Sequence, residues 1–96
     1  MVPTAPPARA KHGSTTIQGD SFMIFGGINS IGYLNDMFMF NVNSNTWIEI
    51  ELTTEIPARA NACITYFYPF LYIFGGENNS GVLNDLWLYD FRYNYI

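Results

Sequence analysis

The chain has 96 residues, of which 49% are apolar, 18% aromatic and 12% charged, and its formal net charge is −4. This length allows one small domain, and the apolar content argues against intrinsic disorder. The few basic residues form no stripe that could bind nucleic acid or an anionic membrane, and no apolar run approaches the ~18–20 residues of a membrane span. Neither nucleic acid nor a membrane is therefore an expected partner.

The N-terminus and the cysteine content favour a cytoplasmic protein. Residues 1–7 are rich in proline and lack the apolar core of a secretory signal. Cys63 is the only cysteine, so no disulfide can form within one chain. We expect Cys63 to be a small, buried, apolar side chain.

The first half of the chain predicts four short strands, because its aromatic and β-branched segments end at Gly, Asn and Asp. The expected strands cover about 11–17, 22–25, 36–41 and 46–50. A tight turn at 18–21, in which Gly19 is free to take a positive φ, joins the first two strands. The second strand is expected to end at Gly26-Gly27 and to lead into a loop that contains residues 29–32, and a turn at 43–45 precedes the fourth strand.

The second half predicts the same order. Its strands are expected at about 61–66, 71–74 and 85–90, with a turn at Phe67-Tyr68-Pro69-Phe70 and a loop at Glu77–Val82. A fourth strand would begin at Ile96, which lies 49 positions after Trp47. The strands are nearly continuous apolar runs, which predicts sheets that are covered on both faces.

The two halves are copies of one unit. Gly26-Gly27 and Asp36 recur 49 positions later as Gly75-Gly76 and Asp85, and Pro7-Ala8-Arg9 recurs after 50 positions. A repeat of this length is typical of propellers and other arrays, in which one unit cannot bury its own faces. We expect a tail at 1–6, a first repeat at 7–56 and an incomplete second repeat at 57–96, so that the chain is a fragment of a larger array.

These residues resemble the Kelch repeat. The first copy of the motif is Pro7, Arg9, His12, Phe25-Gly26-Gly27, Asn35-Asp36, Phe40 and Trp47. The second copy is Pro57, Arg59, Phe74-Gly75-Gly76, Asn84-Asp85 and Tyr89, with Ala62 in place of His12. The resemblance implies an all-β fold, namely a partial Kelch-type β-propeller of about two four-stranded antiparallel blades, the second of them truncated.

The shared residues have architectural explanations. The glycine pairs allow close approach of a neighbouring blade. Asp36 and Asp85 are expected at strand entries, where they would accept local backbone N–H bonds. Arg9 and Arg59 would hold turns or blade interfaces, and Trp47 offers a large packing surface.

No catalytic, cofactor or metal site is predicted. His12 has no second histidine and no Cys or Glu cluster at ligand spacing, so we interpret it as structural. The glycine pairs precede strands, whereas a phosphate site needs a following helix. Glu49, Glu51 and Glu55 are expected on a solvated outer strand and loop. Asn78-Asn79-Ser80 fits the N-glycosylation pattern, but without a secretory signal we do not expect modification.

The expected function is binding of other proteins. In an up-and-down blade, the connection between the second and third strands shares one face with the link between repeats. We expect these connections to be the longer loops, at 27–35 and 76–84, and long loops on rigid sheets often carry function. The candidate partner-binding residues on this face are Asn29, Tyr33, Glu77, Asn78 and Asn79. The resemblance to Kelch propellers implies a scaffold or protein-interaction module. Two alternatives stay open: a piece of a propeller enzyme whose catalytic residues lie in other blades, and a unit that self-assembles through exposed blade faces.

Overall fold

The structure is a computed structural model that describes residues 5–93 and consists of strands and turns over that range. The strands are β1 (Gly13–Thr16), β2 (Ser21–Ile28), β3 (Tyr33–Asn41), β4 (Thr46–Ile50), β5 (Cys63–Phe67), β6 (Phe70–Asn78) and β7 (Gly81–Asp90). They form two antiparallel sheets, in the orders β1-β2-β3-β4 and β5-β6-β7. This up-and-down order within each sheet is that of propeller blades, and the expected all-β fold class is confirmed. The strand predicted to begin at Ile96 lies outside the described residues.

Each glycine pair lies inside a strand, opposite a bulge in the neighbouring strand, and the prediction that the strand ends there is wrong. β2 runs through Gly26 and Gly27 to Ile28, with a register shift between Phe25 and Gly27. Both glycines have a positive φ, of 69° and 109°. The same shift occurs between Phe74 and Gly76 in β6. The extra residue is on the neighbouring strand, where Asn35 and Asp36 together oppose Gly26. The left-handed conformation of the glycines accommodates it, so the hairpin continues beyond it.

The connections between the second and third strands are therefore short. In the second sheet only Asn79 and Ser80 separate β6 from β7, and residues 29–32 form the turn in the first sheet. The prediction of long loops across 27–35 and 76–84 is wrong, because most of these residues pair with each other as strand. Residues 51–62, which link β4 to β5, are the long connection. We call this segment the inter-sheet link.

At the opposite end of the sheets the turns are also tight. The N–H of Ser21 donates to the carbonyl of Gln18 over 2.8 Å and closes the predicted turn at 18–21. Gly19 does not adopt the positive φ that it could have taken. In the second sheet Tyr68 and Pro69 occupy the corresponding turn, and their peptide bond is cis.

The core lies between the facing sides of the two sheets. Its buried members are Met23, Phe25 and Met37 of the first sheet, Ile64, Leu71, Ile73 and Tyr89 of the second, and Ile56 of the inter-sheet link. On the opposite side of the first sheet Ile24 and Phe38 are also buried, at 6% and 4% exposed, and the Arg9 guanidinium of the same repeat lies over Phe38. The opposite side of the second sheet is open, because Phe74 and Leu86 are 49% and 55% exposed. Within residues 5–93 no further sheet covers the outer side of either sheet, so the predicted burial on both faces holds only for side chains such as Ile24 and Phe38.

Cys63 is exposed, and the prediction that it is buried is wrong. It pairs in register with Phe74 on the open side of the second sheet. An apolar side chain on this side is buried only if another element covers it, and no other part of residues 5–93 does so.

The two sheets are joined by backbone contact as well as by the core. The N–H of Gly27 donates to the carbonyl of Arg59 over 2.9 Å, and the N–H of Arg59 donates to the carbonyl of Leu34 over 3.0 Å. A Cβ atom on Gly26 would lie 2.7 Å from the Arg59 carbonyl oxygen. The link can therefore cross the first sheet at this distance only because residue 26 has no side chain.

Gly26→Ala is expected to destabilise the protein more than Gly75→Ala. The two glycines have nearly equal φ values, 69° and 71°, so the cost of a left-handed alanine, about 1–3 kcal/mol, is common to both. A Cβ on Gly75 would meet only the Leu83 carbonyl at 3.3 Å, whereas one on Gly26 also collides with Arg59. Thermal unfolding of dilute samples measures the difference. Equal losses in the two variants would contradict the close approach at Gly26.

Candidate functional site

An arginine in each repeat ties the glycine bulge to the next strand, and we call each Arg–Asp pair a clamp. Arg59 donates to both carboxylate oxygens of Asp85, over 2.5 and 2.8 Å. It also donates to the carbonyls of Gly75 and Pro57, each over 3.0 Å. This arrangement uses the planar guanidinium fork for two parallel charge-assisted bonds.

The first clamp repeats this geometry. Arg9 donates to both carboxylate oxygens of Asp36 and to the carbonyls of Pro7 and Gly26, the last two over 3.1 Å. Asp36 lies inside β3, as Asp85 lies inside β7, so the prediction that these residues stand at strand entries is wrong. Their carboxylates bind arginine side chains, which the sequence analysis did not predict.

The clamps differ in their surroundings. Arg59 is fully buried, and Oδ2 of Asp85 also accepts a 2.8 Å hydrogen bond from the indole N–H of Trp87. In the first repeat Phe38 occupies the position that Trp87 has in the second. The guanidinium carbon of Arg9 lies over the Phe38 ring, 5.5 Å from the ring centroid. The hydrogen bonds that Arg59 donates lower the pKa of Asp85 well below its usual value. Partial desolvation raises this pKa, while the hydrogen bond from Trp87 and the positive charge of Arg59 lower it further.

The turns at 29–32 and 79–80 and the inter-sheet link lie on one face, which we call the turn face. A shallow groove of about 400 Å³ crosses it and is lined by Ile31, Gly32, Tyr33, Ala58, Asn78, Asn79 and Ser80. Ala58 belongs to the inter-sheet link, and the other lining residues belong to the two turns and their flanking strands. Hairpin turns and link share this face, as the strand directions indicated.

Three of the predicted partner-binding residues make hydrogen bonds within the turn face. Oδ1 of Asn29 accepts the N–H of Ile31 over 2.9 Å, and Oδ1 of Asn78 accepts that of Ser80 over 2.8 Å. The side-chain amide of Asn78 also donates to Ala58 over 2.9 Å. Glu77 accepts a 3.0 Å hydrogen bond from the side chain of Asn61. These bonds fix the backbone of the turn face.

Tyr33 and Asn79 are placed differently. They line the groove from different repeats, and neither side chain makes a hydrogen bond within residues 5–93. The structure brings these two predicted residues to the same groove, and their polar groups are available to a partner.

Two apolar residues on the turns were missed by the sequence analysis. Ile31 is 91% exposed in the first turn, and Val82, which follows the second turn, is 89% exposed. The signal was present, because each is a β-branched residue next to a glycine in a polar segment, where it cannot enter the core. Ile31 lines the groove and adds an apolar surface that a partner can cover, whereas Val82 takes the position that Tyr33 has in the first repeat and does not line this groove.

The other predicted residues lie elsewhere. His12 is exposed and borders a separate hollow on the outer side of the first sheet. Trp47 packs on the ring of Phe40, with centroids 4.9 Å apart. Tyr89 is in the core, where burial raises the pKa of its hydroxyl. The residues Glu49, Glu51 and Glu55 are exposed, as expected.

Residues 5–93 contain neither a candidate metal site nor a candidate membrane-spanning helix. Over that range no group of three or more His, Cys, Asp or Glu residues could hold a metal ion. The same range contains no helix that is long and apolar enough to cross a membrane.

Comparison with known proteins identifies a family and several relatives. The family model described as the KLHDC2/KLHL20/DRC7 Kelch-repeats domain matches residues 1–95. The alpha chain of flagellar outer arm dynein of Chlamydomonas reinhardtii is 34% identical over 74 residues, which are 76% of this chain and 2% of that protein. Tip elongation aberrant protein 3 of Schizosaccharomyces pombe is 35% identical over 48 residues, which are 50% of this chain and 4% of that protein. The chain thus spans only a small part of these relatives.

Asp85→Asn is expected to lower the free energy of unfolding at neutral pH by about 1–3 kcal/mol, because it leaves the buried Arg59 guanidinium without its counter-charge. The pKa of Asp85 is lower in the folded chain than in the unfolded chain, where it is about 3.9. The carboxylate therefore stabilises the fold above about pH 4, and this contribution is lost as the pH falls from there towards the folded pKa. The deficit of the variant should shrink in acid.

Urea unfolding at neutral pH and at about pH 3 measures this change. Asp90→Asn is the matched control, since it removes a carboxylate that pairs with the half-exposed Arg92 and should cost less than Asp85→Asn at neutral pH. A deficit of Asp85→Asn that is equally large at both pH values would contradict a stabilising, ionised Asp85.

Proposed function

This chain belongs to the Kelch-repeat family, and from that premise we propose that it acts as a non-enzymatic protein-interaction module whose partner binds in the groove of the turn face. The observation that carries the proposal is the pairing of Tyr33 and Asn79 across the groove, with Ile31 exposed beside them. Kelch repeats generally mediate contacts between proteins, which supports the assignment as a family property.

The chemistry of the groove favours a peptide segment or loop of another protein. Its lining residues carry no formal charge; they offer amides, hydroxyls and small apolar surfaces. An aromatic hydroxyl and side-chain amides can bind the backbone of a partner, while Ile31 can cover one of its apolar side chains. The same lining supplies no nucleophile with an adjacent base, which is why the proposed role is binding and not catalysis.

The backbone of the turn face is held before any partner arrives. Asn29 and Asn78 each close their own turn, and Asn78 also fixes the inter-sheet link at Ala58. The arginine clamps hold the glycine bulges at the base of the same hairpins. A site of this kind loses little conformational entropy on binding, so a modest area of contact can give useful affinity.

A photo-crosslinking amino acid in place of Asn79 should capture the partner in an extract of the source cells. The control carries the same group in place of Asn43, in the turn at the other end of the sheets, and should not capture the same protein. Mass spectrometry of the crosslinked product identifies the partner. A protein captured equally from both positions would not be a ligand of the groove.

Tyr33→Ala should weaken binding of that purified partner by about tenfold or more, as expected for an aromatic residue central to a contact. Tyr68→Ala is the matched control, because Tyr68 is a 60% exposed tyrosine in the turn at the other end. Calorimetric titration measures both affinities, and circular dichroism shows that both variants are folded. Loss of affinity in neither variant, or in both, would place the binding surface outside the groove.

A further inference from the structure

The two repeats contact each other through one surface of the first repeat and a different surface of the second. The first repeat offers the side chains of Met23, Phe25 and Met37 together with the backbone of Gly27 and Leu34. The second repeat covers this surface with its own inner side and with the segment 56–61 of the inter-sheet link. Asn35 adds a 2.9 Å hydrogen bond to the carbonyl of Ile56, and the N–H of Asn61 donates to Lys11 over 2.8 Å.

The second repeat offers the same surface again, and no other part of residues 5–93 covers it. We call it the tail, and its members at the equivalent positions are Tyr72, Phe74, Gly75, Gly76, Leu83, Asn84 and Leu86. Phe74 and Leu86 are about half exposed, and Asn84 is exposed. Within residues 5–93, neither the N–H of Gly76 nor the carbonyl of Leu83 bonds to a group outside its own sheet. A Cβ on Gly75 would meet no foreign backbone, unlike one on Gly26.

The first repeat carries the matching surface, which we call the head. Its segment Pro7-Ala8-Arg9-Ala10 repeats the sequence Pro57-Ala58-Arg59-Ala60 of the inter-sheet link. Arg9 is held by its clamp in the same way as Arg59, so the segment already has the docked conformation. Ala60 is 1% exposed in its contact, whereas Ala10 is exposed.

The side chains of head and tail are complementary in size. Ser14 and Thr16 occupy the positions that Ile64 and Tyr66 occupy in the second repeat. They leave a hollow of about 430 Å³ that is lined by His12, Ser14, Thr15, Thr16, Phe22 and Ile24. On the tail, Tyr72 replaces the smaller Met23 and stands beside Phe74. Bulky side chains on one surface therefore face small side chains on the other.

We propose that the head of one copy of this chain docks on the tail of a second copy and reproduces the contact between its own repeats. The N–H of Gly76 donates to the carbonyl of Arg9 of the second copy, and the N–H of that Arg9 donates to the carbonyl of Leu83. Phe74 and Tyr72 enter the hollow of the head. The contact joins two different surfaces, so repeated docking closes a ring or extends a fibre. Propellers of about 4–8 blades correspond to rings of about two to four copies.

Light scattering of the purified chain across a range of concentrations tests this proposal. The wild-type protein should exceed the mass of one chain, 10.9 kDa, at high concentration and dissociate on dilution. Phe74→Lys, on the tail, and Ser14→Lys, on the head, should each remain at one chain under the same conditions. Thr53→Lys adds the same charge in the inter-sheet link and should assemble like the wild type.

A mixture of the two blocked variants gives the sharpest result. Each keeps one intact surface, so the mixture should form a complex of two chains and stop there. Leu86→Lys and Thr16→Lys replace the first pair if circular dichroism shows that either variant is unfolded. A wild-type chain that stays monomeric at the highest concentration, blocked variants that assemble like the wild type, or a mixture that stays monomeric would each overturn the proposal. Binding of the groove partner is measured separately, so either proposal can fail alone.

Discussion

The buried Arg59 is the residue on which the arrangement of the two sheets depends. Its side chain joins Asp85, Gly75 and Pro57 within the second repeat, while its backbone bonds to Gly27 and Leu34 of the first. One residue thus sets the internal geometry of a hairpin and its distance from the neighbouring sheet. A buried guanidinium is tolerated only when every donor has an acceptor, which makes this geometry hard to change in parts.

The candidate site follows from the same constraint. The clamps fix the glycine bulges, and the bulges set the direction of the hairpins beyond them. The turn asparagines close the ends of those hairpins. The groove between them is then a consequence of the repeat spacing and not of any single loop. The same repetition leaves a covered surface between the repeats and an equivalent open surface on the second one, where Phe74 and Leu86 are exposed. The groove and the proposed self-association arise from one architectural unit.

The sequence predicted the fold well because the repeat doubled every signal. The spacing located both sheets, and β4 has the predicted bounds, Thr46–Ile50. The bulges were missed because glycine is expected equally at a strand end and inside a distorted strand, and the choice depends on a partner distant in the chain. The role of Asn29 and the exposure of Cys63 likewise depend on neighbours that no local pattern specifies. Tyr33 and Asn79 were predicted from strand direction, which is a property of the topology.

Amide hydrogen exchange of the native chain, followed by NMR, tests the coupling of the two sheets most directly. The Gly27 amide belongs to the first sheet, but its acceptor is the carbonyl of Arg59 in the second repeat. If Arg59 joins the sheets into one cooperative unit, Gly27 should exchange only through global unfolding, with the same free energy as the amide of Ile73 in the core of the second sheet. An amide of Gly27 that exchanges through a local opening while Ile73 stays protected would contradict this coupling.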